Sequence, residues 1–296
     1  MELRDSNHQQ RFPRRAVRWQ LKTRELTFDR IPLLMGIVNV TPDSFSDGGR
    51  FLDPQAAIAQ ALQLVADGAD ILDIGGESAR PNSEPVSASE ELRRVLPVIE
   101  GIVAATKVPV SIDTSKAIVA QTALAAGAEI VNDITALNGD PGMLNLLHET
   151  GAGVCVMHMQ GTPQTMQDNP TYGDVVRDIE QFLGDRLKDL VEAGIVGACI
   201  CLDPGIGFGK TYQHNLTLMA NCWQFHSLGC PLVVGHSRKG FLGKLLGDST
   251  ADRAVATAGA ALSLARQGVQ IVRIHDVQVV REALLAFEAT GGIDVS

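Results

Sequence analysis

From residue 33 onward this chain repeats one pattern eight times: a short apolar run that ends on a polar residue, then a stretch of helical periodicity. Such runs fit strands covered on both faces, as in parallel sheets. Strands are expected at 34–39, 70–75, 108–113, 130–133, 153–158, 198–203, 232–235 and 271–275. Helices are expected near 54–67, 88–105, 116–126, 141–149, 173–193, 214–224, 251–267 and 276–288. Gly68, Gly127 and Gly194 follow small apolar residues where three of these helices stop, the position of a left-handed cap. Eight parallel strands with right-handed crossovers close into a (βα)8 TIM barrel. An open doubly wound sheet is the alternative.

One such barrel over 31–290 uses almost the whole chain of 296 residues, and the 45% hydrophobic content is enough for its core. Ahead of it, Val17, Trp19 and Leu21 alternate with polar residues, as do Leu26 and Phe28, so 16–30 reads as a short N-terminal β-hairpin. Residues 1–15 are polar and Arg-rich and are expected to be a disordered basic tail, with 291–296 as a C-terminal tail. A net charge of −9 argues against nucleic acid as a partner. No apolar run reaches the roughly 18 residues of a membrane span, and no signal-peptide core is apparent. The five cysteines lack framework spacing and fit reduced thiols, so a cytoplasmic location is expected.

The strand ends carry the functional signal. Asn39, Asp73, Asp113, Asn132-Asp133, His158, Asp203, His236-Ser237, Arg273 and His275 all fall there. In a barrel these ends meet on one face, where active sites lie. Burying so many polar groups without a ligand or partners is costly, which favours a binding site.

Several of these ends extend into motifs. Asn39 leads into Thr41-Pro42-Asp43-Ser44-Phe45-Ser46-Asp47-Gly48-Gly49, a bendable loop carrying carboxylates and an aromatic that suits a lid. Gly75-Gly76-Glu77-Ser78-Ala79-Arg80-Pro81 offers a second lid. Asp113, Asn132 and Asp203 form a set of acceptors and amide donors suited to the edge of a planar amino-pyrimidine ring. Arg273 and His275, two apart on one strand, face the same way and suit phosphate oxygens; the alternative is an Arg–carboxylate pair inside the barrel. Gly235-His236-Ser237-Arg238-Lys239-Gly240 gathers cations at the barrel mouth. It misses the nucleophile elbow G-x-S-x-G because Gly240 comes one residue late. Asp203-Pro204-Gly205-Ile206-Gly207-Phe208-Gly209-Lys210-Thr211 misses the phosphate loop, with Pro204 where its first glycine belongs. Its glycines are expected to let the backbone approach a flat ligand, with Phe208 as an apolar wall. His158 reads as a packed histidine, and no spacing indicates zinc.

Taken in order, GIVNVTPDSFSDGG, DIGGESARP, SIDTSK, VNDITAL, MHMQGTPQTMQ, DPGIGFGK, GHSRKGFL and RIHDV, spread over 36–277, resemble the dihydropteroate synthase family. The resemblance implies a (βα)8 barrel, a homodimer and Mg2+. It also implies a transferase of folate biosynthesis that joins 4-aminobenzoate to 6-hydroxymethyl-7,8-dihydropterin diphosphate and releases pyrophosphate. By position, Asn39 matches the metal-associated residue and, with Arg273 and His275, the pyrophosphate ligands. Asp113, Asn132, Met157, Asp203 and Lys239 match the pterin pocket. Phe45, Arg80, Pro81, Phe208, Ser237 and Arg238 match the surroundings of aminobenzoate, a site that sulfonamides mimic. Asp47 matches the loop carboxylate that faces developing positive charge, so Asp47, Lys239, Arg273 and His275 are the expected catalytic set.

One position departs from the family. Ala79 stands where a threonine is usual, and losing that hydroxyl contact costs about 0.5–1.5 kcal/mol. Two other readings share the pterin acceptors. A methyltetrahydrofolate methyltransferase has no use for the anion cluster of Ser237, Arg238, Lys239, Arg273 and His275. A non-catalytic pterin-binding protein would not release pyrophosphate.

Overall fold

Each apolar run that can bury both its faces pairs as a parallel strand. The computed structural model describes residues 7–41, 53–81 and 83–294. Among these, an antiparallel hairpin of β1 (Arg18–Gln20) and β2 (Glu25–Thr27) precedes eight parallel strands. They are β3 (Leu33–Asn39), β4 (Ile71–Gly75), β5 (Val110–Asp113), β6 (Ile130–Asp133), β7 (Gly153–Met157), β8 (Ile200–Asp203), β9 (Val233–Gly235) and β10 (Ile271–Ile274). Pairing follows chain order from β3 to β8, and β10 lies between β9 and β3. The ring is nearly closed: β8 and β9 meet through a bridge between Leu202 and Leu232. This is the (βα)8 barrel with a hairpin that the sequence leads one to expect.

Helices α2 (Pro54–Ala66), α3 (Ala88–Ala105), α4 (Ala117–Ala125), α5 (Gly142–Thr150), α6 (Val175–Glu192), α7 (Tyr212–Asn221), α9 (Ala254–Arg266) and α10 (Val277–Ala289) alternate with the strands, and the short α8 (Gly240–Leu245) was not foreseen. Local chemistry sets their starts. Asp53 accepts from Gln55 N ahead of Pro54, Ser87 accepts from Glu90 N, and Asp174 accepts from Val176 N and Arg177 N. Gly68, Gly127 and Gly194 all take positive φ just past their helices, as expected of the cap position. No helix among the described residues is long and apolar enough to cross a membrane.

Strand alternation makes two cores. Outward residues such as Val38, Ile74, Ile112, Val131, Leu202 and Val272 pack under the helices. Inward residues Met35, Ile71, Ile130, Cys155, Cys201, Val233 and Ile271 fill the lower barrel, and Trp19, Leu21 and Phe28 of the hairpin close that end. The hairpin is therefore a plug, and the opposite end of the barrel is left for polar side chains. All five cysteines are buried and unpaired.

The expectation of a disordered tail over 1–15 needs correcting for residues 7–15. Helix α1 (Asn7–Arg11) leads to Phe12, whose ring lies 5.1 Å from that of His226. Arg15 is buried, donating from Nε to Gly268 O at 2.7 Å and from Nη2 to Asp29 O at 2.9 Å. Charge and polarity suggest disorder, but main-chain carbonyls of Gly268, just past α9, and of Asp29, just past β2, satisfy the guanidinium.

Candidate active site

Above the apolar layer, the inward side of the strands turns polar. Asp73 on β4, Asp113 on β5, Asn132 on β6, Met157 on β7, Asp203 on β8 and Arg273 on β10 share this upper layer, and register pairs Asp113 with Asn132 and Met157 with Asp203. A cavity of about 1220 Å³ opens over it, and Asn39, Asp113, Lys239, Arg273 and His275 are among the residues lining its walls. That volume exceeds the usual range for a single small ligand, so there is room for two reactants. Asn132, Met157 and Asp203 are buried and do not line it; strand register sets Asn132 beside Asp113, and Asp203 beside Met157.

Arg273 is the hub. Its Nε donates to Asp73 Oδ2 at 2.5 Å and its Nη2 to Asp113 Oδ2 at 2.7 Å. The Arg–carboxylate pair that the sequence left open is thus present, and Arg273 still lines the cavity. Burial works against its charge, but Asp73 and Asp113 overcome this and hold it above the usual guanidinium range. Burial also pushes Asp113 up to about 7, against the pull of Arg273. Asp203 is raised by burial too, with Lys239 opposing, and its Oδ1 accepts from Gly205 N at 2.7 Å.

Lys239 extends under the mouth, donates to Ile206 O and lies 4.6 Å from the centre of the Phe208 ring. Burial lowers it to about 8 despite Asp203. Ser237 Oγ accepts from His275 N at 3.1 Å and lies 3.0 Å from His275 Nδ1. Burial, with Arg273 beside it, lowers His275 to about 4, so the ring is neutral at pH 7. We assign its proton to Nε2, because the Ser237 hydroxyl is free to donate to Nδ1. Arg238 also lines the cavity, but its Nε is bound to Asp276 Oδ2 at 2.8 Å, at a φ of 55°. Arg80, Pro81, Phe208 and Ala79 complete the wall. Phe45 and Asp47 lie outside the described residues.

Other strand-end residues turn away. Alternation sends Asp133 outward, where its Oδ1 accepts from Thr135 N and Oγ at 2.8 Å. His236 is buried, with Nε2 3.0 Å from Thr257 O. His158 packs edge-on to Phe182 and lies 3.0 Å from the Nζ of buried Lys210.

Two of the three glycines after β8 differ from the expectation. Gly207 lines the cavity, but Gly205 and Gly209 answer to the protein itself: a Cβ on Gly205 would sit 1.9 Å from His158 O, and one on Gly209 2.5 Å from Gln160 O. Gly205 and Gly209, both at positive φ, let the β8 loop lie against the β7 loop. A second arrangement escaped the sequence altogether. Lys116 binds Glu77 at 2.5 Å and fully buried Glu91 at 2.6 Å, and Glu77 Oε1 accepts from Val86 N at 2.8 Å. This network ties the loop bearing Arg80 to β5 and α3, and no spacing links residues 77, 91 and 116 in advance.

With the geometry in place, comparison identifies the lineage. A family model described as pterin binding enzyme matches residues 35–275. A dihydropteroate synthase of Neisseria meningitidis serogroup C is 46% identical over 277 residues, covering 92% of this chain and 97% of its own. This chain belongs to the dihydropteroate synthase family. The solved Xanthomonas albilineans dihydropteroate synthase with 4-aminobenzoic acid superposes with a TM-score of 0.86 at 43% identity, covering 93% of this chain and 98% of that one. The same organism's enzyme in complex with 7,8-dihydropteroate gives 0.82 at 41% identity, covering 92% and 98%. Members of the dihydropteroate synthase family are transferases, and the cavity over β4, β5 and β10 is this chain's candidate active site.

Proposed function

We propose that this chain makes 7,8-dihydropteroate from 4-aminobenzoate and 6-hydroxymethyl-7,8-dihydropterin diphosphate, releasing pyrophosphate. The observation that carries the reading is one hollow lined by Asp113, Lys239, Arg273 and His275, with Asn132 next to Asp113 in strand register. Asp113, Asn132 and Asp203 accept from the heterocycle's N–H groups, Lys239 donates to its carbonyl, and Met157 underlies the ring. Arg273 and the His275 Nε2–H, with Asn39, receive the diphosphate. Arg80, Pro81, Phe208, Ser237 and Arg238 surround the aminobenzoate, and Phe45 is assigned to the same group. A methyltransferase reading leaves the Arg273–His275 donors without a task.

The described residues contain no group of three or more His, Cys, Asp or Glu able to hold a metal. Magnesium fits nonetheless, since it keeps waters and substrate oxygens and needs few protein ligands. The Asn39 amide oxygen, at the cavity wall, is the protein donor we assign to it. When bound, it would neutralise charge on the diphosphate.

In the reaction the methylene C–O bond breaks and its electron pair leaves with pyrophosphate. The fixed donors of Arg273 and His275 stabilise that growing negative charge. The electron-rich pterin spreads the positive charge left on its methylene, and Asp47 faces it. The aniline nitrogen, held close, forms the new C–N bond and then loses its proton to solvent. Aniline is already nucleophilic, so a strong base is not needed.

A pyrophosphate-release assay tests the reading. Release should require both substrates; release without aminobenzoate, or none with both, would overturn it. The pH dependence follows from the two buried groups. Ionised, Asp113 offers both oxygens as stronger, charged acceptors, so kcat/KM for the pterin diphosphate should rise through about pH 7. Lys239 loses its charge above about 8, so the profile should fall again there. A flat profile between pH 6 and 9 would remove both roles.

We also infer a cytoplasmic homodimer. Leu245, Leu246, Val255 and Leu285 leave apolar surface exposed on the last three helices, which a second copy would cover. A sedimentation mass of a single chain would exclude the dimer.

A further inference from the structure

Asp73 is fully buried on β4, beneath the cavity, and the roles assigned so far leave it out. Its Oδ2 takes two donors at once: Arg273 Nε at 2.5 Å and Asn132 Nδ2 at 3.1 Å. Its Oδ1 has no hydrogen-bond partner among the described residues. An isolated buried carboxylate of this kind is expensive unless charge and hydrogen bonds compensate it, and Arg273 supplies the charge.

The consequences fall on the neighbours. An amide has one donor face and one acceptor face. With one N–H of Nδ2 given to Asp73, the amide of Asn132 is fixed in orientation, so its Oδ1 points away from Asp73 and offers an acceptor beside Asp113, its neighbour in strand register. A guanidinium held at Nε by Asp73 and at Nη2 by Asp113 is locked in plane, which leaves Nη1 and the second N–H of Nη2 for an anionic tail. A single oxygen thus orients two side chains that the proposed function gives to the pterin diphosphate.

We propose that Asp73 is a positioning residue that sets the acceptor face of Asn132 and the plane of Arg273, and thereby selects a heterocycle edge made of N–H donors. This rests on the proposed function. Because the decisive atom is an acceptor, asparagine at 73 can replace it by placing its amide oxygen where Oδ2 lies. Alanine cannot.

Calorimetric titration with 6-hydroxymethyl-7,8-dihydropterin, which lacks the diphosphate, tests this. Asp73→Ala should bind the pterin at least about tenfold more weakly than wild type. Asp73→Asn should stay within about threefold, and KM for 4-aminobenzoate should change less than about twofold in both. Wild-type affinity in Asp73→Ala, or equal losses in the two variants, would overturn the proposal. If Asp73→Ala does not fold, an exchange of the pair decides. Asn132→Asp alone should lose the pterin at least about tenfold, because it faces Asp73 with no donor. Adding Asp73→Asn restores one donor and one acceptor and should recover most of that affinity; no recovery overturns the proposal. Turnover by the wild-type chain tests the functional reading separately, so failure of one is not failure of the other.

Discussion

Arg273→Ala is expected to lose about 10³-fold in kcat/KM and, unlike a variant that only weakens a substrate contact, to lose stability as well. The activity term comes from the departing pyrophosphate, which loses a planar cationic donor at the point where its charge grows. The stability term comes from below. Arg273 is the cation between Asp73 and Asp113, and its removal leaves fully buried Asp73 and half-buried Asp113 without their counter-charge. Breaking a buried pair from one side costs about 3–5 kcal/mol. At roughly 2–3 °C per kcal/mol for a chain of this size, Tm should fall by about 6–15 °C. The acid limb of the pH profile should also move above 7, since Arg273 now opposes the upward push of burial on Asp113. Arg273→Lys should recover little, because a point charge cannot bridge both carboxylates and still present a third nitrogen. A kcat/KM within tenfold of wild type, or an unmoved acid limb, would show that the ion pair is only a structural strut.

What the sequence made visible, and what it hid, divides along physical lines. The strands were legible because each is buried on both sides and therefore continuously apolar, as in Val154 and Val156 of β7. The site layer was legible because period-2 alternation places Asp113, Asp203 and Arg273 on one side of their strands. The same alternation, applied within Asn132-Asp133, separates an inward amide from an outward carboxylate. What stayed hidden depends on contacts between distant segments. Nothing local says that Gly205 is needed because His158 O lies where its side chain would be. Nor does spacing reveal that Arg238 is held by Asp276, or that Glu77, Glu91 and Lys116 meet. The N-terminal residues misled in the opposite direction. Arg15 looked like a solvated charge, yet it is buried because Gly268 and Asp29 present carbonyls to it.

Trp19→Ala, at the other end of the barrel, should separate stability from catalysis. Trp19 is fully buried, its indole N–H donates to Cys199 O at 2.8 Å, and its ring lies against the bare face of Gly153. Around it are Leu21 and Phe28 from the hairpin and Met35, Ile71, Ile130 and Ile271 from the strands. Truncating such a residue removes both its transfer energy and the contacts of the walls, about 3–5 kcal/mol. It also leaves the Cys199 carbonyl without its indole donor. Tm should therefore fall by roughly 6–15 °C, much as for Arg273→Ala. The activity should not follow, because the apolar layer from Met35 to Val233 lies between the plug and the cavity. Measured well below its Tm, the variant should keep kcat/KM within about twofold of wild type, and its pH limbs should stay near 7 and 8. Equal losses of stability in the two variants with unequal losses of turnover would place the chemistry at the strand tips and assign the hairpin to holding the ring shut. A Trp19→Ala chain that melts within 2–3 °C of wild type, about the effect of 1 kcal/mol, would mean that the barrel floor is sealed without its plug.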